Sequence, residues 1–235
     1  MKTPVQKALS ELHQFVSEYN LAVVSSNMDL KKSVDSLFKR YYAVLLWDAH
    51  IHHSRPWPED VTKSDLFATY ITETTSDICQ SLLLTVQGLY KPAYLILRSG
   101  VENFFRCMGI AFDQNVITIT AVYSLIDVLK EVPFLKADPL AMRHFGLLHS
   151  EYSTLCAHVH TADIAHMAKT KVVGVFPRYL KEDSNNIIGA IARICISICS
   201  LMCIFLKRQL FAMHHTHRDV IFGVISSNTK RHITA

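Results

Sequence analysis

The chain has 235 residues, half of them hydrophobic, with only seven glycines, seven prolines and a formal charge of +4. That length and apolar content suffice for one sizeable core, with two domains as the alternative, and the few chain breakers favour long helices. Six cysteines spread through apolar stretches, with no close pair at zinc-finger spacing and no secretory signal, exclude a secreted disulfide framework and point to a reducing cytosol.

The first amphipathic helix is expected from about Val5 to Tyr19 and the second from about Asp29 to His50, with Leu37, Tyr41, Val44 and Leu45 turned to the core. The segment RPWPED breaks the chain, and helix resumes near Ser64 and runs to Gly88. Gly88 and Pro92 mark a turn or kink. Beyond it, PAYLILRSGVENFFRCMGIAF predicts a strongly apolar helix, followed by another from about Val116 to Val132 that PFLKADP closes. Asp138 before Pro139 is a good helix start, with proline in the first turn, and that helix is expected to carry to about His160.

A looser stretch from Thr161 to Asn186 then precedes the run IIGAIARICISICSLMCIFL, Ile187 to Leu206. Its length suits a membrane span, but Arg193, Ser197 and Ser200 interrupt it, so it is read as a buried central helix and membrane association is not expected. Cys195, Cys199 and Cys203 recur every four residues on one face of it, as small apolar packing residues. After Leu206 come five of the 24 Lys and Arg but only one of the 20 Asp and Glu. Residues 207–235 are therefore expected to form a basic C-terminal extension, either a contact for phosphates or an acidic partner or an ordinary solvated end. The reading as a whole is an all-α, single-domain bundle of about seven helices, homodimeric because its apolar content exceeds what one bundle needs.

Two polar clusters interrupt these apolar runs. One is Arg98 and Glu102 in LILRSGVENFF, and the other is His149, Tyr152, His158 and His160 in LLHSEYSTLCAHVH. Ionisable side chains avoid burial unless they are paired or used. At about 100° of rotation per residue, His149, Tyr152, Cys156 and His160 form one stripe beside the apolar face of Phe145, Leu148 and Leu155. Arg98 and Glu102 lie one turn apart and can pair across it. An arginine held by a glutamate near a histidine and a tyrosine reads as an anion clamp with an acid or base beside it. The same residues read equally as a buried network that sets helix register.

The helix order, LYKPAYLILRSGVENFF and YSTLCAHVH resemble, over roughly Ser64 to His160, little-characterised bacterial helical proteins that include abortive-infection proteins. Some of these are similar in turn to the HEPN superfamily of helical bundles. Many HEPN proteins are metal-independent ribonucleases marked by an arginine, a polar residue and, four to six residues after the arginine, a histidine; in RHFGLLH, Arg143, His144 and His149 match that pattern. The resemblance implies a HEPN-like endoribonuclease or toxin-type effector in bacterial stress or phage defence, with RNA as substrate and an antitoxin or effector protein as partner. His149 or His160 would move protons, Arg143 or Arg98 would hold the phosphate, and Glu102 would orient an arginine. Attack by a ribose 2′-hydroxyl needs such a proton carrier and such a cation, with no metal. Six residues of regular helix, however, set Arg143 about a third of a turn from His149, so the two converge only in a loosened first turn or across a dimer. The rival reading is a non-enzymatic helical interaction module.

Three histidine groups, His50 with His52 and His53, His158 with His160, and His214 with His215 and His217, invite a metal, but none has the HExxH pattern or a closed ligand set. No metal or cofactor is expected, and phosphate loops, dinucleotide fingerprints and nucleophile elbows are absent.

Overall fold

The computed structural model describes residues 3–18, 26–159 and 179–235. Among the described residues all regular structure is helical. The elements are α1 (Pro4–Glu18), α2 (Met28–Ser54), α3 (Val61–Val86), α4 (Tyr90–Ile110), a 3-10 turn (Gln114–Thr118), α5 (Val122–Lys130), α6 (Pro133–Ala137), α7 (Pro139–Val159), α8 (Lys181–Phe205), α9 (Lys207–Ala212), α10 (His215–Val224) and α11 (Ser227–Thr234).

The most apolar run of the sequence becomes the central helix, α8, which packs on α2, α3, α4 and α7. Ile187, Ile191, Ile194, Ile198 and Leu201 are buried along it, and Cys195, Cys199 and Cys203 are fully enclosed. Burial pushes the Cys195 thiol up to about 12 and the Cys199 thiol well above its ordinary range. These sulfurs therefore stay protonated and act as small packing groups. Among the described residues α8 is the one helix long and apolar enough to cross a membrane, yet 78% of its most apolar window is buried inside the bundle.

Several helix starts follow from side chains that accept the orphan N–H groups of a first turn. Asn27 caps α2 through Leu30 N at 3.0 Å, Asp60 caps α3 through Lys63 N at 2.9 Å, and Asp138 takes Leu140 N and Ala141 N at 2.9 and 3.0 Å. In RPWPED, Trp57 packs on Phe67 at 5.2 Å between ring centroids, and Ser64 bonds both the N–H and the carbonyl of Trp57. The break thereby becomes part of the core. Gly88 supplies the turn between α3 and α4 with φ of 73°, a left-handed conformation that glycine adopts without a Cβ clash. Pro92 then falls in the first turn of α4, where its missing N–H costs no helical bond.

Among the described residues eleven α-helices stand where about seven were expected, and two regions account for most of the difference. The helix expected from Val116 to Val132 is split. Gln114–Thr118 is a 3-10 turn, Ile119 and Ala121 are extended, and α5 begins only at Val122. The β-branched run Val116–Ile117–Thr118–Ile119–Thr120 disfavours helix, and Arg106 donates to the Ile119 carbonyl at 2.9 Å, satisfying it without a helical partner. The segment PFLKADP, expected to close that helix, instead starts α6 with Pro133 in its first turn.

The second region is 207–235. Rather than extending from the bundle it forms α9, α10 and α11, which fold back and bury Leu210, Met213, Ile221, Ile225 and Ile233. His144 meets the Thr229 hydroxyl at 3.2 Å and His232 meets Asp138 at 2.6 Å, tying α11 to the start of α7. Helix α8 also begins at Lys181, six residues before the apolar run, with Glu182 and Asp183 in the first turn where the helix dipole favours acidic groups.

Candidate functional site

Helices α4 and α7 lie antiparallel, as their ring contacts show in register. Phe105 meets Phe145 at 5.5 Å and Tyr152 at 5.9 Å, and Tyr94 stacks on His158 with centroids 4.0 Å apart and planes 2° from parallel. Between these contacts sits Arg98. Its Nε donates to Cys156 Sγ at 3.2 Å and its Nη2 donates to the Tyr152 hydroxyl at 3.0 Å. Neither partner is a carboxylate. Burial alone would lower the Arg98 pKa, but the contacts with Cys156 and Tyr152 outweigh it and raise it further. A guanidinium carries five N–H donors, so three remain beyond these two bonds. Among the described residues no carboxylate lies in ion-pair range of Arg98.

Glu102 does not hold Arg98. Its Oε1 accepts from Arg106 Nη2 at 3.2 Å, one turn further along α4, and Arg106 Nη1 reaches the Ile119 carbonyl. Glutamate N-terminal to a cation at four residues is the favoured order, so Glu102 selects Arg106 over Arg98. That signal was present in the sequence. The pair braces the extended segment before α5 and leaves Arg98 uncompensated.

Tyr152 is 1% exposed, its hydroxyl pKa is pushed up to about 12 by burial and by Cys156, and Tyr123 of α5 packs edge-on against its ring at 6.5 Å. His149 sits one turn earlier on the same stripe, half-buried. Burial and then Lys130 lower its pKa, against a smaller opposite pull from Asp127, so its imidazole is neutral near pH 7. His149 thus stands one helical turn from Tyr152, where Cβ atoms are about 5–6 Å apart, and the charged groups acting on its ring are Lys130 and Asp127.

Arg143 is not part of this arrangement. Helix α7 is continuous from Pro139 through Val159, and Arg143 is exposed on it while Tyr152 is buried. Nine residues of regular helix turn Arg143 to the side opposite Tyr152, and it stands roughly 9 Å along the axis from His149. The first turn is not loosened, so within one chain RHFGLLH does not bring its arginine to its histidine. His144 is buried against Thr229 and serves the packing of α11. His160 lies outside the described residues.

A cavity of about 190 Å³ opens beside the stacked Tyr94 and His158, edged by Asn185, Asn186 and Arg193 of α8. Arg193 is held by Glu151 through Nε at 2.5 Å and Nη2 at 3.1 Å. Tyr94 and the two asparagines were not singled out by sequence reasoning, because nothing in their spacing marks them; only the approach of α8 to α7 assembles this wall. Among the described residues no group of three or more His, Cys, Asp or Glu side chains is arranged to hold a metal. His52 instead meets the Thr72 hydroxyl at 2.8 Å, which donates to Asp48 at 2.8 Å, and the His214 and His215 rings lie 4.3 Å apart, tilted by 37°.

Comparison of the chain with protein-family models, with curated proteins and with solved structures finds no match in any of the three.

Proposed function

We propose that this protein is a HEPN-like, metal-independent endoribonuclease of the toxin type, acting in the cytoplasm as a homodimer, with Arg98 rather than Arg143 as the cation that holds the scissile phosphate. The observation that carries this reading is the uncompensated Arg98, fixed by Tyr152 and Cys156 one turn from a neutral histidine. His149 would take the proton from a ribose 2′-hydroxyl as its oxygen attacks phosphorus. Arg98 would stabilise the charge of the phosphorane through its remaining donors. The bond from phosphorus to the 5′-oxygen then breaks, that oxygen receives a proton from the imidazolium, and a 2′,3′-cyclic phosphate is left. Tyr152 is the positioning residue for Arg98.

The competing reading, a non-enzymatic interaction module, is favoured by the near-complete burial of Tyr152, which makes the network useful for helix register alone. The two separate cleanly. Purified protein is incubated with single-stranded RNA in excess EDTA, and products are assayed for cyclic phosphate termini. His149→Ala and Arg98→Gln are expected to lose cleavage at unchanged secondary structure, while Arg143→Ala retains it. Loss in Arg143→Ala with Arg98→Gln still active would move the site to a pair of chains sharing Arg143 and His149. Wild-type protein that neither binds nor cuts RNA would leave the interaction module standing.

A further inference from the structure

On the side of α8 that faces α2 lies a groove of about 310 Å³, separate from the α4–α7 face. Its α2 wall carries Lys32, Ser33, Ser36 and Arg40, and its floor is the apolar or side-chain-free strip of Leu37, Ile188, Gly189 and Ala192. Two cations and two hydroxyls line it, and among the described residues no carboxylate does.

Arg40 is fixed there. Its Nη1 donates to the Ser36 carbonyl at 2.7 Å and to Ser36 Oγ at 2.8 Å. Because Ser36 Oγ accepts from Arg40, its own hydrogen is free to donate outward. Among the described residues neither Arg40 nor Lys32 has an ion-pair partner; Asp35, the carboxylate between them in sequence, is turned to His13 at 2.7 Å. The Arg40 charge also acts on Cys195, buried in α8, pulling its thiol downward against the larger upward effect of burial. Gly189, on that floor, also leaves room for Arg193, whose Nη1 would stand 3.1 Å from a Cβ there.

We propose that this groove binds a phosphorylated small molecule of about mononucleotide size. Lys32, Arg40 and the hydroxyls of Ser33 and Ser36 hold the phosphate, and the strip along α8 takes the apolar body. Fixed guanidinium and hydroxyl donors without a competing carboxylate suit a phosphate monoester. The volume lies at the lower end of small-ligand clefts, which fits one nucleotide or sugar phosphate better than a polymer. This inference does not depend on the ribonuclease reading, because the two sites share no residue.

The test is calorimetric titration of the full chain with adenosine 5′-monophosphate, inorganic phosphate, adenosine, and a short RNA lacking terminal phosphates. The monophosphate is expected to bind and to raise Tm, inorganic phosphate to compete with it, and adenosine to bind at least about tenfold more weakly, a difference that assigns the affinity to the phosphate. Lys32→Glu, an exposed change that leaves the fold intact, and Arg40→Gln are each expected to weaken the monophosphate roughly tenfold or more. His149→Ala is expected to leave it unchanged, which separates this site from the proposed catalytic face. The proposal is overturned if neither phosphate compound binds, if adenosine binds as well as its monophosphate, or if Lys32→Glu has no effect. It is overturned as well if the RNA binds more tightly than the monophosphate with the same sensitivity to Lys32→Glu, which would make the groove a polymer track.

Discussion

Tyr94 and His158 lie face to face, their ring centroids 4.0 Å apart and their planes 2° from parallel, joining the first turns of α4 to the last described turn of α7. The contact closes the antiparallel pair at the end opposite Phe105 and Phe145, so the Arg98 network is clamped on both sides. An aromatic contact of this kind contributes about 0.5–1.5 kcal/mol beyond area burial. His158→Ala is expected to lower stability by about that much in chemical denaturation, and His158→Phe to keep most of it. Equal losses in both variants would show that ring stacking is not what His158 supplies.

Removing the Tyr152 hydroxyl isolates the worth of the Arg98 contact. Tyr152→Phe keeps the ring against Phe105 and Tyr123 but takes away one acceptor from a guanidinium. Because Arg98 is only half-buried, water can replace part of the lost bond, and the expected cost is about 1 kcal/mol rather than the larger penalty of a sealed charge. Arg98→Met, which removes the charge and keeps much of the stem, is expected to be nearly neutral. A strongly destabilised Arg98→Met protein would place the weight of this network on the fold.

Glycine positions give a paired test of packing. A Cβ at Gly109 would come within 2.8 Å of Val116 Cγ2, inside any allowed contact, so Gly109→Ala must displace the 3-10 turn and is expected to cost about 1–3 kcal/mol. At Gly146, midway along α7, a Cβ meets nothing within 4 Å. There alanine removes only backbone freedom and is expected to stabilise by up to about 1 kcal/mol. Thermal melts of the two variants should move in opposite directions.

Acid is expected to weaken the fold through its histidines. Burial lowers the pKa of His50, His144 and His149 below the ordinary 6.5. The unfolded chain therefore binds more protons as pH drops through that value. Stability is fully present above about 6.5 and declines as pH falls toward the lowered folded-state values. Asp138 acts later: burial opposes its charge, but bonds from Ala141, His232 and Leu140 prevail and hold it below 3.8, so its share is lost only at more acidic pH. Tm measured from pH 7.5 to 5 should fall, and His144→Asn should flatten the decline. A Tm that rises on acidification in that window would contradict the burial of these rings.

Truncation after Leu206 tests whether 207–235 is an appendage. It removes buried Leu210, Ile221 and Ile233, each worth about 1.5–3 kcal/mol of burial, and uncovers the apolar surface of α2 and α8 beneath. The expected product is aggregated or only partly folded. A truncated chain that melts cooperatively at the wild-type temperature would restore the reading of a solvated extension.

Much of the architecture was legible because it depends on local pattern. The apolar run of α8 announced a buried central helix, Asp138 before Pro139 announced the start of α7, and Gly88 announced the turn after α3. The Val116–Val132 region misled because its hydrophobic spacing suits a helix while its β-branched residues resist one, and the Ile119 carbonyl found Arg106 outside the segment. The C-terminal region misled through its charges. Its buried residues are few and widely spaced, and their role appears only once a surface of α2 and α8 exists to receive them.

For the candidate site, residue types and helical phase are properties of the chain alone. They put His149, Tyr152 and Cys156 on one stripe of α7 and turned Arg143 away from it, because rotation per residue is fixed by the helix. Which helix faces meet at all depends on distances between helices that no local pattern encodes. Only the antiparallel approach of α4 to α7 gave Arg98 to Tyr152 and Cys156 and stacked Tyr94 on His158, whereas the Glu102–Arg106 pair is local to α4. Only the packing of α2 on α8 set Lys32 and Arg40 over Gly189.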